Sequence, residues 1–206
     1  MTVEPTATTT NSTAINSVTN STELELDADE LFHLGIKASE QSSHEQAITY
    51  FKRSLIKKDN ANTRYLLGAQ YAEIGMIERA IDAMKSAVSL EPELWTAHFQ
   101  IGLAQMTIGH NAEALISWQP LEKLEKSEPL RLFSEGLSAL ATNELEKAQQ
   151  QILQGIENNR QNPALNKDMS KVIENISSMI GGEKIPLPAD EESSSKSHLF
   201  LDAYKS

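Results

Sequence analysis

Residues 61–94 read ANTRYLLGAQYAEIGMIERAIDAMKSAVSLEPEL. The small residues Gly68, Ala80 and Ala87 fall where two helices would have to approach closely. The larger apolar residues Leu67, Tyr71 and Met84 flank them. Gly75 falls where a first helix would stop, because glycine enters the left-handed conformation at no steric cost. Pro92 falls where a further helix would begin, its missing N–H being an orphan there in any case. The stretch therefore predicts two short helices joined by a tight turn, and its neighbours decide whether that is chance.

They repeat it. Ala47, Ala80, Ala114 and Ala148 are spaced 33, 34 and 34 residues apart, and Gly35, Gly68, Gly102 and Gly136 keep the same intervals. Every glycine precedes its alanine by twelve positions. A period of this length is the signature of a stacked repeat architecture. Turns are expected near Gln41–Ser43, Gly75–Met76, Gly109–Asn111 and Thr142–Asn143. Asp27 with Glu30 reads as a capping box where structure starts, and Ser43 with Gln46 and Asn143 with Glu146 read as capping pairs of second helices.

The pattern resembles the tetratricopeptide repeat, a 34-residue helix-turn-helix unit. The second repeat carries most of it, with Leu67, Gly68, Tyr71, Ala80, Met84, Ala87 and Pro92. The first repeat supplies Leu31, Leu34, Gly35, Ala38, Ala47, Phe51 and Ser54. The third supplies His98, Ile101, Gly102, Ala114 and Trp118, and departs at Leu121. The fourth keeps Leu132, Gly136, Ala139, Ala148 and Ile152 but has Glu135 where leucine is usual. The resemblance implies an all-α fold, a right-handed α-solenoid with repeats at about 28–60, 61–94, 95–128 and 129–162. Pro120 lies inside the second helix of repeat three, where it removes a donor and clashes with the carbonyl of Ile116, so a kink or early end is expected.

Beyond repeat four, Pro163 opens a run with Leu165, Met169, Val172, Ile173, Ile176 and Ile180 at helical spacing. A stacked array must cover its last apolar face, so 163–181 reads as a capping helix ended by Gly181-Gly182. The solenoid then spans 27–181. Residues 1–26 are a polar arm expected to be disordered, being Thr, Ser and Asn with few large apolar side chains. Residues 182–206 are a flexible tail with an apolar terminal segment.

Composition bounds the function. The 206 residues carry a net charge of -11 and no cysteine, which removes disulfides, thiolate metal sites and thiol nucleophiles. An acidic chain without a basic patch argues against nucleic acid and against anionic membrane surfaces. The N-terminus has neither a positive region nor an apolar core, so a cytoplasmic location is expected. None of His33, His44, His98, His110 and His198 pairs with another at helical spacing, and no phosphate loop, dinucleotide loop or nucleophile elbow is present. The chain is therefore read as no enzyme, with no cofactor and no metal.

What remains is a second apolar stripe on the first helix of each repeat, at the fifth, ninth and twelfth positions. It runs Phe32, Ile36 and Ser39; Tyr65, Ala69 and Ala72; Phe99, Leu103 and Met106; and Phe133, Leu137 and Leu140. An aromatic opens each set. In tetratricopeptide proteins these positions line the concave groove, so the resemblance implies a groove for an amphipathic helix or an extended apolar peptide. Permanent burial is the competing explanation of the same stripe. Family members that clamp acidic peptides place Lys, Arg and Asn there. Only Asn62 fits that chemistry here, so such a ligand is not expected. The tail residues Leu199, Phe200, Leu201 and Tyr204 are candidates to dock in the groove themselves. The leading expectation is a non-catalytic protein-binding module. The alternatives are a cytoplasmic chaperone of a secreted bacterial client, by resemblance of layout, and a structural scaffold or homo-oligomer.

Overall fold

A computed structural model describes residues 26–181. Among them the chain forms α1 (Ala28–Glu40), α2 (His44–Lys57), α3 (Ala61–Glu73), α4 (Ile77–Leu90), α5 (Trp95–Thr107) and α6 (Asn111–Trp118). A 3₁₀ segment (Gln119–Lys123) follows, then α7 (Pro129–Ala141), α8 (Leu145–Asn158) and α9 (Pro163–Ile180). Consecutive helices pair as helix-turn-helix units, each unit packs on the next, and α9 packs on α8. The architecture is an all-α, right-handed solenoid.

Local chemistry accounts for the boundaries. Asp27 and Glu30 form a reciprocal capping box, each carboxylate accepting the other's backbone N–H at 2.8 Å. The four intra-repeat turns share one device at one position. Ser42, Gly75, Gly109 and Asn143 all have positive φ, at 55°, 78°, 80° and 63°. Repeats one and four thus use Ser and Asn where repeats two and three use glycine, and Asn is a residue that tolerates this region. Two expected caps are corrected by this. Asn143 is the left-handed turn residue, and Glu144 precedes α8 in its place. Ser43 does precede α2, but its side chain makes no capping bond. Pro92 is also displaced, lying in the inter-repeat turn three residues ahead of α5. Pro129 and Pro163 do open their helices.

The glycine and alanine series has a steric cause. A Cβ on Gly68 would lie 2.7 Å from Met84 Cγ and 3.0 Å from the Ala80 carbonyl oxygen. One on Gly136 would lie 2.6 Å from Ile152 Cγ1. The first helix of each unit rests its glycine on the second helix at the alanine and on the large residue one turn further, so the pair approaches to backbone contact.

Pro120 ends α6 early, as expected. That helix has 8 residues where α2, α4 and α8 each have 14. The chain tightens into the 3₁₀ segment and turns Leu121, fully buried, into the core. Arg131 secures the break. Its Nη1 donates to the carbonyls of Glu122 and Leu124 at 2.7 and 2.8 Å, and its Nε donates to Glu135 Oε1 at 2.8 Å. Glu135 thereby acquires a reason to stand where the repeat pattern has leucine.

The core divides across α5. Ala97, Ile101 and Ala104 on one face of that helix join the packing of repeats one and two. Phe99 joins Trp118, Leu121, Phe133 and Ile152, together with Leu165, Met169, Ile173 and Ile176 from α8's partner α9. Buried polar contacts hold adjacent units in register. Gln70 Nε2 donates to Ser39 Oγ, and Gln70 Oε1 meets His44 Nδ1, both at 2.9 Å. Gln149 Nε2 donates to Ser177 Oγ at 3.0 Å.

Candidate interaction surfaces

The structure separates the second apolar stripe into two populations. Tyr65, Ala69, Phe99, Phe133 and Leu137 are inside, at 0–2% exposure. Phe32, Ile36, Leu103, Met106 and Leu140 are half-buried. The reading of the aromatic series as a row of ligand contacts is thereby corrected at Tyr65, Phe99 and Phe133, and of the apolar stripe at Ala69 and Leu137. The cause is packing inside the array. The Phe99 ring stacks on Trp118 and approaches Phe133, with centroids 6.4 Å apart in each case. Trp118 Nε1 also donates to the Phe99 carbonyl at 3.0 Å. Phe133 fills the space left by Gly155 on α8, whose added Cβ would meet the ring at 2.6 Å. The Tyr65 hydroxyl is hydrogen-bonded to Thr96 on the next repeat, and full burial pushes its ionisation far upward. Ser39, at the twelfth position of repeat one, is also buried and held by Gln70.

Of the aromatic set only Phe32 keeps a partly accessible ring, 6.1 Å from Phe51. The half-buried residues do not form one continuous line. Phe32 and Ile36 border the core of repeats one and two, whereas Leu103, Met106 and Leu140 border the second core on α5 and α7. The tail candidates Leu199, Phe200, Leu201 and Tyr204 lie outside the described residues, as do Gly182 and most of the N-terminal arm.

Three features were not singled out from the sequence. A cavity of about 150 Å³ sits where α5, α7 and α9 meet, lined by Thr96, Phe99, Gln100, Leu130, Asn162 and Leu165 among others. A second, of about 280 Å³, lies between α6 and the α7–α8 turn, with Trp118, Glu135, Ser138, Ala139 and Glu144 in its wall. The signal for this one was present: repeat two has Leu67 and Tyr71 where repeat four has Glu135 and Ala139, and the missing bulk is the cavity. At its rim the Thr142 hydroxyl and Lys147 bond Glu144 at 2.7 and 3.1 Å, which holds that carboxyl below its usual range. The third feature corrects the expectation of no basic patch. Lys52, Arg53, Lys57 and Lys58 are all exposed at the end of α2, and Ile56 among them is 85% exposed. Arg64 takes Asp59 at 2.6 Å, so that acid is already engaged. Among the described residues no group of three His, Cys, Asp or Glu side chains is placed to hold a metal, and no helix is long and apolar enough to cross a membrane.

No family model matches the chain. A curated relative, the peroxisomal targeting signal receptor of Candida albicans, is 28% identical over 127 residues. The match takes in 60% of this chain and 22% of the relative, so the chain spans about a fifth of that protein's length. Solved structures are similar over more of the chain. MamA residues 41 to the end, from Desulfovibrio magneticus RS-1, aligns with a TM-score of 0.60 at 16% identity, covering 75% of this chain and 85% of that one. TTC0263, a thermophilic TPR protein of Thermus thermophilus, gives 0.61 at 16% identity over 75% and 83%. A tetratricopeptide repeat protein of Parabacteroides merdae gives 0.62 at 13% identity over 75% and 59%. Repeat period, paired helices and these neighbours agree, and the fold of this chain is the tetratricopeptide-repeat solenoid.

Proposed function

We propose that the chain is a non-catalytic protein-protein interaction module that holds an apolar or amphipathic segment of a partner against the first helices of its repeats. The observation that carries this is the accessible apolar edge of Leu103, Met106 and Leu140 on the adjacent helices α5 and α7. Three half-buried apolar side chains on neighbouring first helices offer a partner's side chains apolar area to bury, at about 25 cal/mol per Å² before ordering costs. Phe32 and Ile36 offer a smaller edge of the same kind at the first repeat. The fold neighbours support an interaction role in general. A cytoplasmic setting belongs to this reading.

The chain's own Leu199, Phe200, Leu201 and Tyr204 would compete for the same edge. The test is a pull-down with wild type, Leu103→Ala/Met106→Ala, and a chain lacking 197–206, with retained proteins identified by mass spectrometry. The double variant should lose a partner that wild type keeps, and the truncated chain should retain more of it. An unchanged set across all three would overturn the reading. Stabilisation of a secreted client on co-expression would favour a chaperone, and concentration-dependent light scattering would favour a scaffold.

A further inference from the structure

A solenoid exposes an apolar face at each end unless something covers it. At the C-terminal end α9 does so, with Leu165, Met169, Ile173 and Ile176 buried. At the other end α1 and α2 are the outermost described layer. Their free edge carries half-buried Tyr50, exposed Ile56, and the cations Arg53, Lys57 and Lys58. Among the described residues Arg53 and Lys58 have no carboxylate partner.

The chain enters at this place. Ser54 Oγ donates to the Ala28 carbonyl at 2.8 Å, which sets the start of α1 against the last turn of α2. Immediately upstream the sequence is Glu23-Leu24-Glu25-Leu26, acids alternating with leucines. In an extended segment such alternation puts both leucines on one side. Four residue steps lead from Ala28 back to Leu24, an extended reach of about 13 Å. A helix with its side chains is about 10–12 Å across, so the segment is long enough to pass over the end of α2 to Ile56. The charges are complementary as well: Glu23 and Glu25 bring two acids, and the stretch 52–58 has four bases and no acid.

We propose that the exposed C-terminal end of α2, at Arg53 and Ile56 with Lys58 just beyond the helix, is a docking surface for the segment Glu23–Leu26 of this same chain, which covers the N-terminal end of the array. The surface would thus prefer acidic segments with alternating large apolar residues, and its own arm holds it against others of that chemistry. The partner-binding reading given above does not depend on it.

The full chain has no cysteine, so Ser21→Cys takes a nitroxide label at one site. Paramagnetic broadening of the amides of 53–58 is measured in four backgrounds: the labelled chain, Glu23→Lys/Glu25→Lys, Arg53→Glu/Lys58→Glu, and both reversals together. Exposed charge pairs are weak, so either reversal should lower the docked-to-free ratio by about fivefold, and the combined reversal should restore it. Equal broadening in all four would mean a tethered but undocked arm and would overturn the proposal. So would broadening seen only when labelled chains are mixed with isotope-enriched unlabelled ones, which would assign the face to a second copy. Broadening that centres on α5 and α7 would overturn it too. Unchanged helicity in the variants, whose substituted sites are all on the surface or in the arm, guards against misfolding.

Discussion

Replacing Phe99 by alanine tests whether the aromatic series serves packing or binding. The ring is 1% exposed and lies between Trp118 and Phe133, on opposite sides of the join between repeats three and four. An aromatic side chain buries roughly 150–250 Å², worth about 4–6 kcal/mol at about 25 cal/mol per Å², and because alanine keeps part of that area its replacement should cost about 3–5 kcal/mol, the range for Phe→Ala in cores. Domain stability is about 5–15 kcal/mol in total, so the loss is large. Because packing here is nearest-neighbour, the loss should fall on the second core first. Trp95 and Trp118 are the two tryptophans of the chain, and both belong to repeat three. Urea unfolding followed by their fluorescence and by far-ultraviolet circular dichroism should therefore split in Phe99→Ala, fluorescence moving at lower urea than ellipticity. Leu103→Ala, at a half-buried site, should lose less than half as much. A Phe99→Ala protein within about 1 kcal/mol of wild type that nevertheless lost its partner would refute the reasoning, since the ring would then be a contact and not core.

Further outcomes are expected. Arg131→Ala should cost about 1.5–3 kcal/mol, the worth of hydrogen bonds to a charged group, and should raise amide exchange in 121–126; Arg131→Lys should not restore it, because a lysine lacks the fork that spans two carbonyls and Glu135. Gly68→Ala should destabilise by about 1–3 kcal/mol through overpacking against Met84 and the Ala80 carbonyl, measured by thermal melting. Gly75→Ala meets open space and should cost only about 1 kcal/mol, for the positive φ alone. The Glu144 carboxyl is held below 4.5 by the Thr142 hydroxyl and Lys147. Its contribution is therefore present above that pH and lost as pH falls through the lower folded value. Glu144→Gln should flatten the acid limb of the stability profile slightly, since the side chain is half exposed; an unchanged limb would deny the linkage.

Features fixed by backbone approach were legible in the sequence. Gly68 and Gly136 tolerate nothing larger, so their spacing gave the repeat, and Pro120 broke a helix for reasons internal to proline. The capping box at Asp27 and Glu30 was legible for the same reason. What the sequence did not disclose was which of two apolar stripes on a helix faces solvent. Phe133 is buried because Gly155, far away in sequence, makes room for it, and Tyr65 because its hydroxyl finds a hydrogen-bond partner in Thr96 on the next repeat. Opposite Phe133 stands Gly155 on the second helix of its repeat, where any side chain would meet the ring, and that complementarity was the available signal there. The turns at Ser42 and Asn143 were expected, but not their left-handed backbone, because serine rarely adopts it and asparagine caps a helix as readily as it turns a chain. The basic end of α2 was hidden by the acidity of the whole chain.

The divided core has a mechanical consequence. Tension applied through the two ends of a solenoid is borne in series by each join between neighbouring units. Here the join between repeats three and four rests on a shortened α6, one clamp through Arg131, and walls that enclose two cavities. It is the weakest link of the spring. Pulled from its ends, the array should extend in two steps, the second core around Phe99, Trp118 and Phe133 opening first and the tyrosine-centred core of repeats one and two after it.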